Sequence, residues 1–201
     1  MRIIAGTHRG RRILPPKDDT TTRPITDRVR ENLFNRLHSL GMFTEDDGPW
    51  SVLDIFSGTG TLGIESLSRG ASHCTFVDQD RDIVDLLKQN LAALGETERA
   101  HIVNASALAG YWAASLAAGS VRVAFVDPPY RLVEDKATRE QVLLLVERLL
   151  PTLEAGGVTV VRTPVEVELP EVVGYDGPGV AAYGGMRLHF YQSPLGAEDA
   201  G

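Results

Sequence analysis

The residues best equipped for chemistry are Asp127-Pro128-Pro129-Tyr130, which follow the apolar run Val121-Arg122-Val123-Ala124-Phe125-Val126. A carboxylate, a rigid turn and an aromatic ring thus meet where a buried strand ends, the place where open α/β sheets handle ligands. Two successive prolines fix φ near about −65° and supply no N–H, so the carbonyls of the turn stay available to outside donors. The exocyclic amine of a nucleobase is such a donor. Asp127 and the Pro128 carbonyl could accept its two protons, drawing the nitrogen towards tetrahedral geometry and localising its lone pair. Tyr130 could stack on the flipped base, a contact worth roughly 1–3 kcal/mol in single-strand binders. The same four residues also suit a plain strand-terminal turn with a capping aspartate, and residues upstream decide between the two.

Upstream, Val52-Leu53-Asp54-Ile55-Phe56-Ser57-Gly58-Thr59-Gly60-Thr61-Leu62-Gly63 reads as a strand, a glycine loop and the start of a helix. Gly58 and Gly60 let backbone approach a ligand, and Gly63 lets the helix lie close to the strand. Asp78 ends the next strand 20 residues after Gly58, the spacing expected of a carboxylate that grips ribose hydroxyls. This pattern suits NAD as well as S-adenosylmethionine. Asp54 separates them in part: an acid four residues before the first glycine favours the cationic amino-acid end of S-adenosylmethionine and repels a pyrophosphate. No Lys or Arg stands in the loop to offset it. A hydride transferase, moreover, has no use for an amine acceptor at Asp127.

Positioning these groups requires alternating strands and helices. The pattern predicts strands at 51–55, 73–78, 101–103, 121–126 and 157–161, and helices at 61–69, 81–94, 106–117 and 136–151. Such alternation means an α/β fold of parallel β-α-β units with right-handed crossovers. Residues 180–183 and 187–192 flank Gly184-Gly185 and predict an antiparallel pair at the sheet edge. Before the sheet, Thr26 or Asp27 can cap a helix whose Val29, Leu33, Leu37 and Leu40 share one face, with Gly41 past its end. Residues 2–6 and 9–14 read as two short strands of a basic hairpin arm. The division expected is thus an arm over 1–22, a main domain over 23–195 and a disordered tail over 196–201.

The chain has 201 residues, 43% of them hydrophobic, and a formal net charge of −7. That charge is unevenly spread: residues 1–40 hold nine Lys/Arg and four acids, net +5, and the remainder is net −12. A basic arm on an acidic body points to a polyanionic partner. No apolar run approaches the roughly 18 residues of a membrane span, and Met1 to Arg9 lack the apolar core of a signal peptide, so a cytoplasmic protein is expected. One cysteine, Cys74, and five scattered histidines predict no metal site and no disulfide. Cys74 has no preceding proline and lies in the second strand, which argues against covalent attack on a pyrimidine.

Taken together, Asp54-x-Phe56-x-Gly58-x-Gly60-x-x-Gly63-x-Glu65-x-Leu67-Ser68-Arg69-Gly70-Ala71, Phe76-Val77-Asp78, Asp127-Pro128-Pro129-Tyr130, Arg2-Ile3-Ile4-Ala5-Gly6 and Arg23-Pro24-x-Thr26-Asp27-Arg28-Val29-Arg30-Glu31-x-Leu33-Phe34-Asn35 resemble one family. It is the bacterial 16S ribosomal RNA guanine-N2 methyltransferase of the RsmD type, and the resemblance covers residues 1 to about 162. It implies a Rossmann-like class I methyltransferase with a mostly parallel seven-stranded sheet, an antiparallel C-terminal edge and S-adenosylmethionine as cofactor. By the same resemblance, Asp54, Gly58 and Gly60 meet the methionine end and Asp78 the ribose, with Phe56, Ser57 and Gln79 also in contact. Arg23, Thr26 and Arg30 are implied near the site. The family commonly has Asn-x-Asp where this chain reads Asn104-Ala105-Ser106, which leaves Ser106 or a backbone amide to meet the adenine. Asp127, Pro128, Pro129 and Tyr130 are the implied catalytic residues, and Arg9, Arg11, Arg12, Lys17 and Arg28 the implied RNA contacts. The partner implied is ribosomal RNA or an assembling small ribosomal subunit, approached by a monomer. A DNA adenine-N6 methyltransferase would share the site, a non-catalytic RNA-binding assembly factor would share the arm, and a nicotinamide oxidoreductase would share only the glycine loop.

Overall fold

In the computed structural model, Thr26 sets the start of helix α1 (Asp27–Ser39): its hydroxyl accepts the N–H of Val29 at 3.4 Å, satisfying one of the helix's orphan donors. The structure describes residues 1–16, 25–43 and 48–196, so the expected contacts Lys17 and Arg23 and the tail beyond Gly196 lie outside the described residues. Val29, Leu33 and Leu37 are buried as their spacing predicts, and Gly41 follows the helix with φ +78°.

Seven strands form one mixed sheet in the order β3-β2-β1-β4-β5-β7-β6. They are β1 (Ser51–Ile55), β2 (His73–Asp78), β3 (Ala100–Asn104), β4 (Val121–Val126), β5 (Leu153–Pro164), β6 (Asp176–Tyr183) and β7 (Met186–Gln192). Contacts divide the chain into two compact units, Met1–Ala107 and Leu108–Gly201. In the first, β1 pairs β2 and β2 pairs β3, all parallel, and the connections carry α2 (Thr61–Ser68) and α3 (Arg81–Leu94). Its core is apolar side chains such as Leu53, Ile55, Ile64, Phe76 and Leu87. In the second, β4 pairs β5 in parallel, and β7 runs antiparallel to both β5 and β6. Every residue of β4 is buried, as a near-continuous apolar run in a parallel sheet should be. Its Arg122 is accommodated by Glu154, at 2.5 Å.

Three features depart from expectation and one is borne out. The arm pairs with itself as expected, through an antiparallel bridge between Arg2 and Arg12 and backbone hydrogen bonds from Ile3 N–H to Arg11 C=O at 2.9 Å, Gly10 N–H to Ile3 C=O at 2.8 Å and Ile13 N–H to Met1 C=O at 3.1 Å. Residues 106–117 form no α-helix but two short 3₁₀ turns, Ala107–Ala109 and Tyr111–Ser115, because Gly110 adopts φ +69° and breaks the run. Helix α5 (Lys136–Leu149) stops before Pro151, and the next strand is longer than the apolar core 157–161 predicts. A further short helix, α4 (Tyr130–Glu134), begins at the last residue of the D-P-P-Y turn.

The arm is fastened to α2 and α3. Glu65 of α2 accepts the N–H groups of Ile4 at 2.8 Å and Ala5 at 3.0 Å, while Asn90 of α3 accepts from Leu14 N at 2.8 Å. Ile3 and Ile13 are buried between these anchors. A Cβ on Gly6 would stand 1.7 Å from the Ser68 carbonyl oxygen, so only glycine permits this approach.

Candidate active site

The glycine loop is tied together by backbone and carboxylate. Gly60 N–H donates to Ser57 C=O at 2.8 Å, and the buried Asp54 accepts from Gly63 N–H at 2.8 Å, so an acid at the strand end fixes the first turn of α2. Phe56 sits at φ +59°, a conformation rare for a side-chain-bearing residue and characteristic of functional turns. Gly63 is required by packing: a Cβ there would stand 2.3 Å from Phe76 and 2.6 Å from the Cys74 sulfur. Burial, with Asp54 nearby, pushes the Cys74 thiol well above its usual range, consistent with an inert core cysteine.

Asp78 closes the loop from β2. One carboxylate oxygen accepts Gly58 N–H at 2.9 Å and the other Asp80 N–H at 3.0 Å. A carboxylate has about four acceptor positions, so two remain for a ligand's hydroxyls. Two observations test the loop for a ligand. Among the described residues, the Ser57 hydroxyl is buried without a hydrogen-bond partner, and beyond Gly58's own chain neighbours no atom lies within 4 Å of the point where its Cβ would stand. A buried hydroxyl in want of a partner beside open backbone fits a polar group such as the methionine end of S-adenosylmethionine. Gln79 is exposed and Ser106 half-buried, next to Ala105, whose N–H donates to Asp78 C=O at 3.1 Å.

The other expected contacts are distributed differently. Thir positions are set by the arm and α1. Thr26 serves as the α1 cap, and Arg30 is completely buried, donating to Asp27 at 2.9 Å and to the Arg2 carbonyl, with Glu65 at 3.9 Å. Burial lowers the Arg30 pKa against the opposing pull of Glu65 and Asp27. Arg11 donates to the Ala93 carbonyl, whereas Arg9, Arg12 and Arg28 are exposed.

In the second unit, Asp127 and Tyr130 meet a residue that sequence reasoning missed. Arg162 of β5 donates from Nε to Asp127 Oδ1, and its guanidinium carbon lies 5.3 Å from the centre of the Tyr130 ring. Burial opposes the Arg162 charge, but Asp127 more than compensates and its pKa is raised. The signal was a lone cation in the apolar run Val158-Thr159-Val160-Val161-Arg162-Thr163. Pro128 is buried and Pro129 half-buried, so the turn presents its carbonyls from a fixed frame.

Known proteins are similar to this chain in sequence and in fold. The family described as Conserved hypothetical protein 95 matches residues 1–192. The protein YlbH of Bacillus subtilis is 38% identical over 196 residues, covering 91% of this chain and 98% of its own length. Ribosomal RNA small subunit methyltransferase D of Escherichia coli is 37% identical over 172 residues, 78% of this chain and 80% of that protein. Among solved structures, yhhF from Escherichia coli superimposes with a TM-score of 0.76 at 31% identity, covering 98% of this chain and 99% of that one. The rRNA methyltransferase AviRa from Streptomyces viridochromogenes, at 17% identity and a TM-score of 0.64 over 87% of this chain and 88% of that one, shares the fold alone. With a family match over nearly its whole length and relatives alike over most of theirs, the chain belongs to the Conserved hypothetical protein 95 family and is a relative of the ribosomal RNA small subunit methyltransferase D proteins.

Proposed function

We propose that this protein methylates the exocyclic N2 amine of a guanine in 16S ribosomal RNA, with S-adenosylmethionine as donor. The observation that carries the reading is the D-P-P-Y turn at the end of β4, whose Asp127 is held by Arg162 and whose proline carbonyls lack competing N–H donors of their own. A relative at 37% identity bearing the name ribosomal RNA small subunit methyltransferase D supports the substrate class. Ser57, Gly58, Gly60 and Asp78 would hold the cofactor, with Asp54 keeping the loop in register. When bound, S-adenosylmethionine supplies a methyl group on a cationic sulfur, an electrophile that an amine can attack directly.

The chain's own task is placement. Asp127 and the Pro128 carbonyl accept the two N–H groups of the target amine, which directs its lone pair, and Tyr130 stacks on the base. The nucleophile is neutral, so charge is dispersed during transfer and orientation outweighs acid–base work. Asp127 takes up the proton released afterwards. Exposed Arg9, Arg12 and Arg28 supply cations for phosphates. The test is nucleoside mass spectrometry of 16S ribosomal RNA with and without the gene, followed by transfer of labelled methyl to the unmodified RNA by purified protein. Loss of one N2-methylguanine that the protein restores is expected; methylation of adenine in DNA instead would replace this reading.

A further inference from the structure

Arg162 touches both chemistry-bearing side chains of the turn. The parallel register pairs Val126 of β4 with Val161 of β5, so the next residues on each strand, Asp127 and Arg162, stand side by side beyond the ladder. Arg162 is 4% exposed, and the Asp127 side chain is 18% exposed. A guanidinium in a buried strand is costly where an aliphatic side chain would serve for packing, and such a cation persists when it is paired and hydrogen-bonded. Its planar fork also differs from a lysine in holding a carboxylate and facing a ring at once.

We infer that Arg162 is a positioning residue that fixes the Asp127 carboxylate and the Tyr130 ring before the target base arrives. The inference rests on the methyltransferase reading above. With Oδ1 engaged by Arg162, the target amine meets the other oxygen and the Pro128 carbonyl. With the guanidinium over one face of Tyr130, the opposite face receives the base. The geometry is thereby set without the RNA having to impose it, and a misplacement of about 1 Å at such a site costs on the order of 100-fold in rate.

The experiment compares wild type, Arg162→Met, Arg162→Lys, Asp127→Asn and the Arg162→Met/Asp127→Asn double variant. Each is assayed for kcat and KM on unmodified ribosomal RNA, affinity for S-adenosylhomocysteine and thermal midpoint. Arg162→Met should lower kcat about 10- to 100-fold, with cofactor-product affinity and KM within about twofold. Arg162→Lys should recover part of the loss, since it restores the charge without the fork. On the Asp127→Asn background, Arg162→Met should cost clearly less than it does alone, because one of the two groups through which it acts is already gone and only the Tyr130 ring remains to be misplaced. A full additional loss in the double variant, or wild-type kcat in Arg162→Met, overturns the inference. If Arg162→Met does not fold, Arg162→Lys decides alone: lowered thermal stability with wild-type kcat refutes positioning, and lowered kcat with an unchanged thermal midpoint supports it. A wild-type protein that neither binds S-adenosylhomocysteine nor transfers methyl refutes the function itself, an outcome distinct from an active enzyme indifferent to Arg162.

Discussion

Replacing Glu65 by Gln should release the N-terminal arm. Glu65 is fully buried; one oxygen accepts Ile4 N–H at 2.8 Å, and the other accepts Ala5 N–H at 3.0 Å and Arg69 Nε at 2.8 Å. Arg30, itself fully buried, lies 3.9 Å away. Glutamine has nearly the same shape but turns one oxygen into a donor, so in either orientation an N–H faces an N–H. It also removes the negative charge that Arg30 and Arg69 share. A stranded buried donor costs about 1–3 kcal/mol, and one missing partner of a buried ion pair about 3–5 kcal/mol. These costs overlap, so a loss of about 3–5 kcal/mol is expected, a large share of the about 5–15 kcal/mol typical of a domain. At about 2–4 °C per kcal/mol for a chain of this size, the thermal midpoint should fall by roughly 6–20 °C. Urea denaturation reads the stability, and hydrogen exchange at the Ile4 and Ala5 amides reads the arm. An unfolding free energy within about 0.5 kcal/mol of wild type, with both amides still protected, would refute the idea that Glu65 anchors the arm.

Asp127→Ala should lower kcat by orders of magnitude while leaving S-adenosylhomocysteine affinity nearly intact by calorimetry; near wild-type turnover would remove Asp127 from the mechanism. Gly63→Ala should destabilise by about 1–3 kcal/mol, because its methyl group would overlap Phe76 and Cys74, and a denaturation midpoint equal to wild type would contradict that packing. Burial, with Arg187 nearby, lowers the His189 pKa from its usual 6.5 to about 4. The unfolded chain therefore binds more protons between those values, so stability should fall as pH drops from 6.5 towards 4, and His189→Gln should flatten this part of the profile. Changing the exposed Arg9 and Arg12 to Ala should reduce the log–log salt dependence of RNA affinity by about one to two units, whereas an unchanged slope would move the RNA contact to α1.

The sheet was legible because its strands are apolar runs of the right length: β1, β2 and β4 begin and end where the pattern predicts. The glycine loop was legible because spacing encodes what the structure shows at Gly63 and Asp78, close packing against β2 and a carboxylate that closes the loop by accepting Gly58 N–H. Residues 106–117 were misread because alanine and leucine favour a helix locally, whereas Gly110 at positive φ interrupts it. The pairing within the arm was legible, but its fastening was not: beyond their own hydrogen bonds the two segments are held by Glu65 and Asn90, 60 to 76 positions away. No local rule reports such a partner. Arg162 escaped for a related reason: its importance appears only when parallel register sets it beside Asp127. Lys17 and Arg23 lie outside the described residues, and their roles stay with the family resemblance.

The same distant anchors fix an order of events during synthesis. Ile4 waits for an acceptor 61 residues later and Leu14 for one 76 residues later, so this segment is fastened to the helices only after they have been made. At about 5–20 residues per second, the 76 residues between Leu14 and Asn90 take roughly 4–15 s to produce. Throughout that interval the cations of residues 1–16 precede most of the acids of the chain, and the closing of this long loop comes only once α2 and α3 exist to receive it. An N-terminal truncation therefore removes a late, long-range closure and leaves the earlier local β-α-β steps unchanged.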